Sequence, residues 1–333
     1  MNNPPTSRPT RRAAIIAAGG AAVGLTAAAQ QPLGPPPHPR GPKVFLDYDQ
    51  VELDAAYDQT VYEPDIDQLA AKLKSDSDMV RANIGTPKRI AYGSKEIEKL
   101  DLYRTTRPNA PIFIFIHGGR WRVANAHDYG FPAENFVRAG AHYVAPDFDW
   151  VQDVEGDLGV LVSQVRQAVA WVYHNAATFG GDPQRIYLSG HSSGGHLAGV
   201  AIAADWKDLG VPANVIKGAV LLSGIYDLKA VRLSNRSSYV KIDDRAEAAF
   251  SPQRHIDRLT VPLVVMYGTR ETPEFQRQSR EFAAAVKAAG KPVETIIAEN
   301  YVHMDSVASL ANPYGLAGSA ALTMMKLIGQ TQK

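Results

Sequence analysis

A chain of 333 residues, 45% hydrophobic and 21% charged, is globular and can bury a substantial core. Its formal charge is +1, and removing the first 29 residues, whose only charges are Arg8, Arg11 and Arg12, leaves 32 bases against 34 acids, a balance that gives no sign of a nucleic-acid partner. Cysteine is absent, so lipoprotein attachment, disulfides, zinc-thiolate sites and thiol nucleophiles are excluded.

The N-terminus reads as an address. Arg8, Arg11 and Arg12 precede the mildly apolar run AAIIAAGGAAVGLTAAA, and Ala27, Ala28 and Ala29 offer small residues for cleavage before Gln30. Thr10 to Ile15 resembles a twin-arginine export signal. The run is shorter than the roughly 20 strongly apolar residues of a bilayer span, so residues 1–29 are expected to be a cleaved signal for export to the periplasm or beyond, with no stable membrane insertion of the mature chain. Residues 30–43 are proline-rich and read as an extended tether. A single α/β domain is expected over 44–333.

Its first part, 44–85, is an arm whose spacing at Ile66, Leu69, Ala70 and Leu73 predicts a helix. RIAYG and LDLYR then predict a hairpin, and PIFIFIHGG a buried strand. A helix near Phe131 to Ala139, a strand at HYVAPDFD and a long helix from about Leu158 to Thr178 follow. Next come the strand RIYLSG, a helix from Ser193, the strands KGAVLLSG and LVVMYG, a helix from Glu274 to Ala289, the strand VETIIAE and a closing helix to about Leu327. Residues 229–260 form an insertion that reads as a small cap. Strand and helix alternating in this way predict a mostly parallel sheet of about eight strands covered by helices on both faces.

Gly190-His191-Ser192-Ser193-Gly194 falls between a predicted strand and a predicted helix. Glycines at those two places let strand and helix approach so closely that the central residue occupies a sharp turn with its side chain projecting from the end of the sheet. Ser192 is therefore the candidate nucleophile. A serine hydroxyl needs a general base, a carboxylate that orients the base, and donors for the oxyanion. His117-Gly118-Gly119-Arg120-Trp121, directly after PIFIFI, offers the N–H groups of Gly118 and Gly119, and Ser193 at a helix N-terminus offers a third.

Of nine histidines, His38 lies in the tether, His127, His142, His174 and His255 in helical or flanking contexts, and His191 and His196 on the elbow itself, expected to face away from the nucleophile. His303 remains. It follows VETIIAE after a short loop, at the C-terminal edge of the sheet where Ser192 also lies. The preferred carboxylate is Glu271, three residues beyond LVVMYG. Glu274 is second, since Thr272 as N-cap and Pro273 at N1 already account for an acid in a first helical turn. Asp227, after SGIY, is third.

These motifs and the chain order Ser192, Glu271, His303 resemble the α/β-hydrolases of the hormone-sensitive-lipase type, in particular the arylformamidase (kynurenine formamidase-like) and carboxylesterase branch. The resemblance covers about 85–330, and AAYDQTVYEP in the arm is similar to that branch as well. It implies an α/β-hydrolase fold and an acyl-enzyme mechanism without metal or cofactor. Two positions depart from the pattern: Glu271 stands where aspartate is usual, and Val302 and Met304 flank the histidine where an asparagine and an aromatic are common.

Trp121, Phe148, Trp150 and Tyr226, all near strand ends, are candidates for the walls of an acyl or aryl pocket, and basic residues in the insertion, Arg232 and Arg236 among them, would tolerate an anionic group. Hydrolysis of carboxylic esters is the expected activity, because an exported enzyme meets compounds arriving from outside the cell. Hydrolysis of aryl formamides such as N-formylkynurenine is the alternative, and a non-catalytic binding protein on this scaffold is the alternative of another class.

Overall fold

The computed structural model describes residues 34–328, together with Met1. The rest of the predicted export segment 1–29, its cleavage point after Ala29, and residues 30–33 of the proline-rich stretch lie outside the described residues. The remainder of that stretch, residues 34–43, carries no helix or strand. It is fastened rather than free: Asp49 accepts from Gly41 N at 2.8 Å and lies 3.0 Å from His38 Nε2.

The same carboxylate caps α1, Gln50–Ala56. It accepts from Glu52 N while Glu52 reaches back to Asp49 N, so two otherwise orphaned donors are satisfied. The arm continues through a 3-10 turn, Gln59–Val61, into α2, Ile66–Ile84. Leu73, Ser77 and Val80, three to four residues apart, are the face that α2 buries. Gly85, at φ +95°, ends the helix.

The strands follow in chain order with their helices. They are β1 Lys88–Ala91, β2 Lys99–Tyr103, β3 Ala110–Ile116, α3 Ala133–Ala139, β4 His142–Pro146, α4 Leu158–Asn175, β5 Gly181–His191, α5 Ser193–Ile202 and β6 Ile216–Leu222. The insertion contributes α6 Leu228–Leu233 and α7 Asp244–Phe250 with several 3-10 turns. The chain ends with β7 Leu263–Gly268, α8 Pro273–Ala288, β8 Val293–Ala298, α9 His303–Ala308 and α10 Leu316–Met324. The closing helix thus stops a few residues short of its predicted end, and α9 begins at His303, where a loop was expected.

Spatial order in the sheet is β1-β2-β4-β3-β5-β6-β7-β8. The pairs β1–β2 and β2–β4 are antiparallel and the rest parallel. Period-2 alternation sorts each central strand between two cores. Ile112, Ile114 and Ile116 join Leu188, Leu221 and Val265 beneath α4, α5 and α8, whereas Phe113 and Phe115 join Tyr187, Val220 and Met266 beneath α3, α9 and α10. Both faces are covered, so these strands read as unbroken apolar runs. Because β3, β5, β6 and β7 are parallel, the loops after them open on one edge of the sheet. Those loops carry Gly118, Ser192, Ser223 and Glu271.

Candidate active site

β5 runs one residue past its predicted end, to His191, and α5 begins at Ser193. Ser192 between them has φ 57° and ψ −124°, a strained conformation for a residue with a Cβ. Neighbours hold it there: Ser192 N donates to Leu222 O at 2.9 Å, and Ser192 O accepts from His196 N at 3.1 Å. Glycine is required on both sides. A Cβ on Gly190 would overlap the Gly194 carbonyl, and one on Gly194 would overlap the carbonyl oxygens of Ile116 and His117.

Glu271 and His303 meet at the edge where Ser192 stands. His303 Nδ1 lies 2.8 Å from Glu271 Oε2. A carboxylate only accepts, so Nδ1 carries the hydrogen and Nε2 keeps a lone pair. The other carboxylate oxygen, Oε1, accepts from Ser223 Oγ and Gly268 N, each at 2.6 Å. Glu271 is thereby fixed in a buried position by donors from the loop after β6 and the end of β7. Ser223 gave no signal in the sequence beyond its place directly after a strand.

The other two candidate acids have different roles. Glu274 is fully buried, but it binds Arg277 through Nε at 2.8 Å and Nη2 at 2.7 Å and accepts from Gln278 Nε2 at 3.0 Å. Asp227 caps α6 by accepting from Lys229 N at 3.0 Å.

His191 was expected to face away from the nucleophile, and the structure corrects this. It borders the same cavity as Ser192 and His303, its ring centroid is 4.4 Å from that of His303, and its Nε2 lies 3.0 Å from the His303 carbonyl oxygen. A carbonyl only accepts, so Nε2 of His191 carries the hydrogen. Burial, reinforced by repulsion from His303, holds the His191 pKa well below the ordinary value. His191 is therefore a neutral donor that grips the backbone of His303. The edge of Phe275, 4.8 Å between centroids, packs against the His303 ring as well. His196 does turn away, its Nε2 2.8 Å from Phe250 O.

The loop after β3 is pinned to the elbow. Trp121 N donates to Ser193 Oγ at 3.1 Å, and a Cβ on Gly118 would lie 2.9 Å from His191 O and 3.3 Å from Ser192 Cβ. Gly119 at φ +103° and then Arg120 and Trp121 near φ +60° form a tight left-handed run. The N–H groups of Gly118, Gly119 and Ser193 donate to no acceptor among the described residues.

A cavity of about 160 Å³ opens on Gly119, Ser192, His191 and His303. A much larger groove, about 1390 Å³, lies between Val154 and Phe250 and borders none of these groups, so its size carries no functional weight. None of the four predicted pocket aromatics borders the smaller cavity. Trp121 is buried with its Nε1 donating to His196 Nδ1 at 3.3 Å, and Phe148 stacks on His117 at 4.3 Å. Tyr226 stacks on Phe282 at 4.2 Å, and Trp150 donates to Ala124 O at 2.9 Å. Trp121, Phe148 and Tyr226 thus pack in the core, which satisfies large apolar surfaces better than an open pocket does, and the half-buried Trp150 is held by a backbone carbonyl. Ile66, Val123, Tyr129 and Met304 supply the apolar wall instead.

The family model described as BD-FAE matches residues 100–286. The chain belongs to the BD-FAE family of α/β-hydrolases. This BD-FAE chain is 32% identical over 266 residues to the kynurenine formamidase of Danio rerio, covering 78% of its own length and 87% of that protein. It is 25% identical over 244 residues to the isoprenylcysteine alpha-carbonyl methylesterase of Arabidopsis thaliana, covering 65% and 56%. Its fold is similar to that of an esterase from Pyrobaculum calidifontis, with TM-score 0.63, 17% identity and coverage of 81% and 97%. It is a hydrolase of the esterase and formamidase type.

Proposed function

We propose that this hydrolase cleaves carboxylic esters of small acyl groups through an acyl-serine intermediate. Ser192 Oγ attacks the carbonyl carbon while His303 Nε2 takes its proton, and Glu271 stabilises the imidazolium through Nδ1–H. The tetrahedral oxyanion is received by the free N–H groups of Gly118, Gly119 and Ser193, each worth on the order of 100- to 1000-fold in rate. As the carbon–oxygen bond breaks, His303 returns the proton to the leaving alcohol and an acyl-serine remains. Water then attacks it, gives its proton to His303, and the acid leaves as Ser192 recovers its hydrogen.

The observation that carries this reading is the 2.8 Å contact between Glu271 and His303 Nδ1 at the rim of a cavity that Ser192 also borders. A cavity of about 160 Å³ has room for about five water molecules at roughly 30 Å³ each, which suits a short acyl group. The likeness to a kynurenine formamidase favours a second reading, hydrolysis of aryl formamides by the same steps with an amine as leaving group. The twin-arginine-like segment supports export and hence the ester reading. Fractionation of cells expressing the full chain tests that placement.

The deciding experiment measures kcat/KM for p-nitrophenyl esters of increasing acyl length beside N-formylkynurenine, with fluorophosphonate labelling in parallel. Short esters are expected to lead, and Ser192→Ala is expected to lose at least 1000-fold and all labelling. Preference for the formamide by several orders of magnitude would reverse the ranking. Absence of both turnover and labelling would favour a binding protein.

A further inference from the structure

Most buried charges in this fold are matched. Glu274 is paired with Arg277, Glu247 with Arg232 and Arg254, and Asp147 with Arg89. Arg236 is different. It lies on the 3-10 turn Asn235–Ser238 of the insertion, is 2% exposed, and forms no ion pair among the described residues. Its Nη2 donates to Tyr57 O at 2.8 Å, and its guanidinium lies 5.0 Å from the Tyr57 ring, with Trp121 and Phe275 at 5.9 and 6.0 Å. Those contacts occupy its faces and one edge. Nη1 is buried with no partner, and the residue borders the cavity that holds Ser192 and His303.

Gln59 borders the same cavity from the arm. It is 8% exposed, and neither its Nε2 nor its Oε1 has a partner among the described residues. A buried amide without hydrogen bonds costs stability, and a buried guanidinium without a counter-ion costs more. Arginine does not escape by losing its proton. Burial, aided by Arg120, pushes the Arg236 pKa down by more than Tyr239, Tyr57 and Asp58 push it up; Asp58 borders the same cavity but forms no ion pair with Arg236. Two such groups on one small cavity are complementary to something that enters it.

We propose that Arg236 and Gln59 form a carboxylate-recognition subsite, so that the preferred substrates are esters or amides carrying a carboxylate a few atoms from the scissile carbonyl. Arg236 Nη1 and Gln59 Nε2 donate to that carboxylate, and the three aromatic rings hold the guanidinium in place. Desolvated charge-assisted bonds of this kind are shorter and stronger than neutral ones. The inference rests on the hydrolytic reading of Ser192, and its test separates the two.

Matched pairs provide the test: 4-acetoxybenzoate against its methyl ester, and monoethyl glutarate against diethyl glutarate. Wild type is expected to favour the charged member of at least one pair by tenfold or more in kcat/KM, mainly through KM. Arg236→Met and Gln59→Leu are expected to cut that charged-to-neutral ratio by at least tenfold. A ratio near one in wild type, or one that folded variants leave unchanged, overturns the subsite. Should Arg236→Met not fold, protection of wild-type Ser192 from the fluorophosphonate by glutarate, but not by dimethyl glutarate, decides instead, and equal protection overturns the proposal. If Ser192 is neither labelled nor catalytic, calorimetric titration of wild type and Gln59→Leu with glutarate still answers. Binding weakened at least tenfold in the variant supports the subsite and leaves only the hydrolytic reading refuted, whereas no binding overturns both.

Discussion

Replacing Glu271 by glutamine keeps the shape of the side chain and changes one oxygen to NH2. Oε1 already accepts two donors, Ser223 Oγ and Gly268 N, at 2.6 Å each, so the amide oxygen takes that place and the NH2 faces His303 Nδ1. The imidazole must then put its hydrogen on Nε2, where it cannot take the proton of Ser192, or leave two buried donors opposed at a cost of about 1–3 kcal/mol. Loss of the charge-assisted bond to the imidazolium adds about 1.5–3 kcal/mol. Together the barrier rises by roughly 2.5–6 kcal/mol, or about 70- to 25,000-fold at 1.36 kcal/mol per tenfold. The assay is kcat/KM for p-nitrophenyl acetate, with thermal melting to verify that the fold survives. A folded Glu271→Gln enzyme within tenfold of wild type would refute the assignment of this carboxylate and the tautomer argument with it.

Glu274→Ala should behave in the opposite way, leaving the buried Arg277 with only the more exposed Glu281 as counter-ion and costing about 2 kcal/mol, a fall of roughly 4–8 °C in melting temperature, while kcat/KM below the transition changes less than tenfold; a 1000-fold loss would make Glu274 the acid. Gly194→Ala forces a Cβ onto two backbone carbonyls and should cost more than about 2 kcal/mol despite a gain of about 1 kcal/mol in helix propensity. Gly180→Ala has open space and only a strained φ of +85°, for about 1–2 kcal/mol; calorimetry that ranks the two the other way contradicts the packing account. Burial, with repulsion from Asp305, Asp65 and Glu271, raises the Glu63 carboxyl from 4.5 to about 7 against the Met304 N–H, so the folded chain binds that proton more tightly than the unfolded one. Stability is then lost as pH rises from about 4.5 to about 7, and Glu63→Gln should exceed wild type by about 1–2 kcal/mol at pH 8, after allowance for screening, with no such advantage at pH 4; a pH-independent difference in melting would count against it.

The strands and the elbow were legible because their signals are local. Apolar runs bounded by glycine locate β3, β5, β6 and β7, and their parallel order, continued by β8 beside β7, places Ser192, Glu271 and His303 on one edge. The place of His191 differs from its expected one because β5 runs one residue beyond the apolar run, to His191 itself. Alternation from Tyr187 through Ser189 carries His191 to the face covered by α9, which His303 begins. The cavity walls were not legible. Whether an aromatic ring after a strand turns inward or outward depends on backbone angles such as the φ of +60° at Trp121, and on partners such as His117 and Phe282 that lie far along the chain. Gln59 and Glu63 fall within AAYDQTVYEP, the arm segment similar to the arylformamidase branch, but nothing in that run says which side chains reach the site, and only packing brings them there.

The enclosure is stitched from opposite ends of the polypeptide. Met304 N donates to Glu63 across 241 positions, and Thr272 Oγ1 donates to Ala56 O across 216. During synthesis the ribosome delivers Ser192 more than a hundred residues before His303, and the arm, which packs through α2 on residues 126–131, gains its C-terminal partners only when α8 and α9 emerge. On the proposed mechanism a chain that still lacks His303 is inactive, and activity waits on contacts of high sequence separation, whose loop-closure entropy must be met before they form.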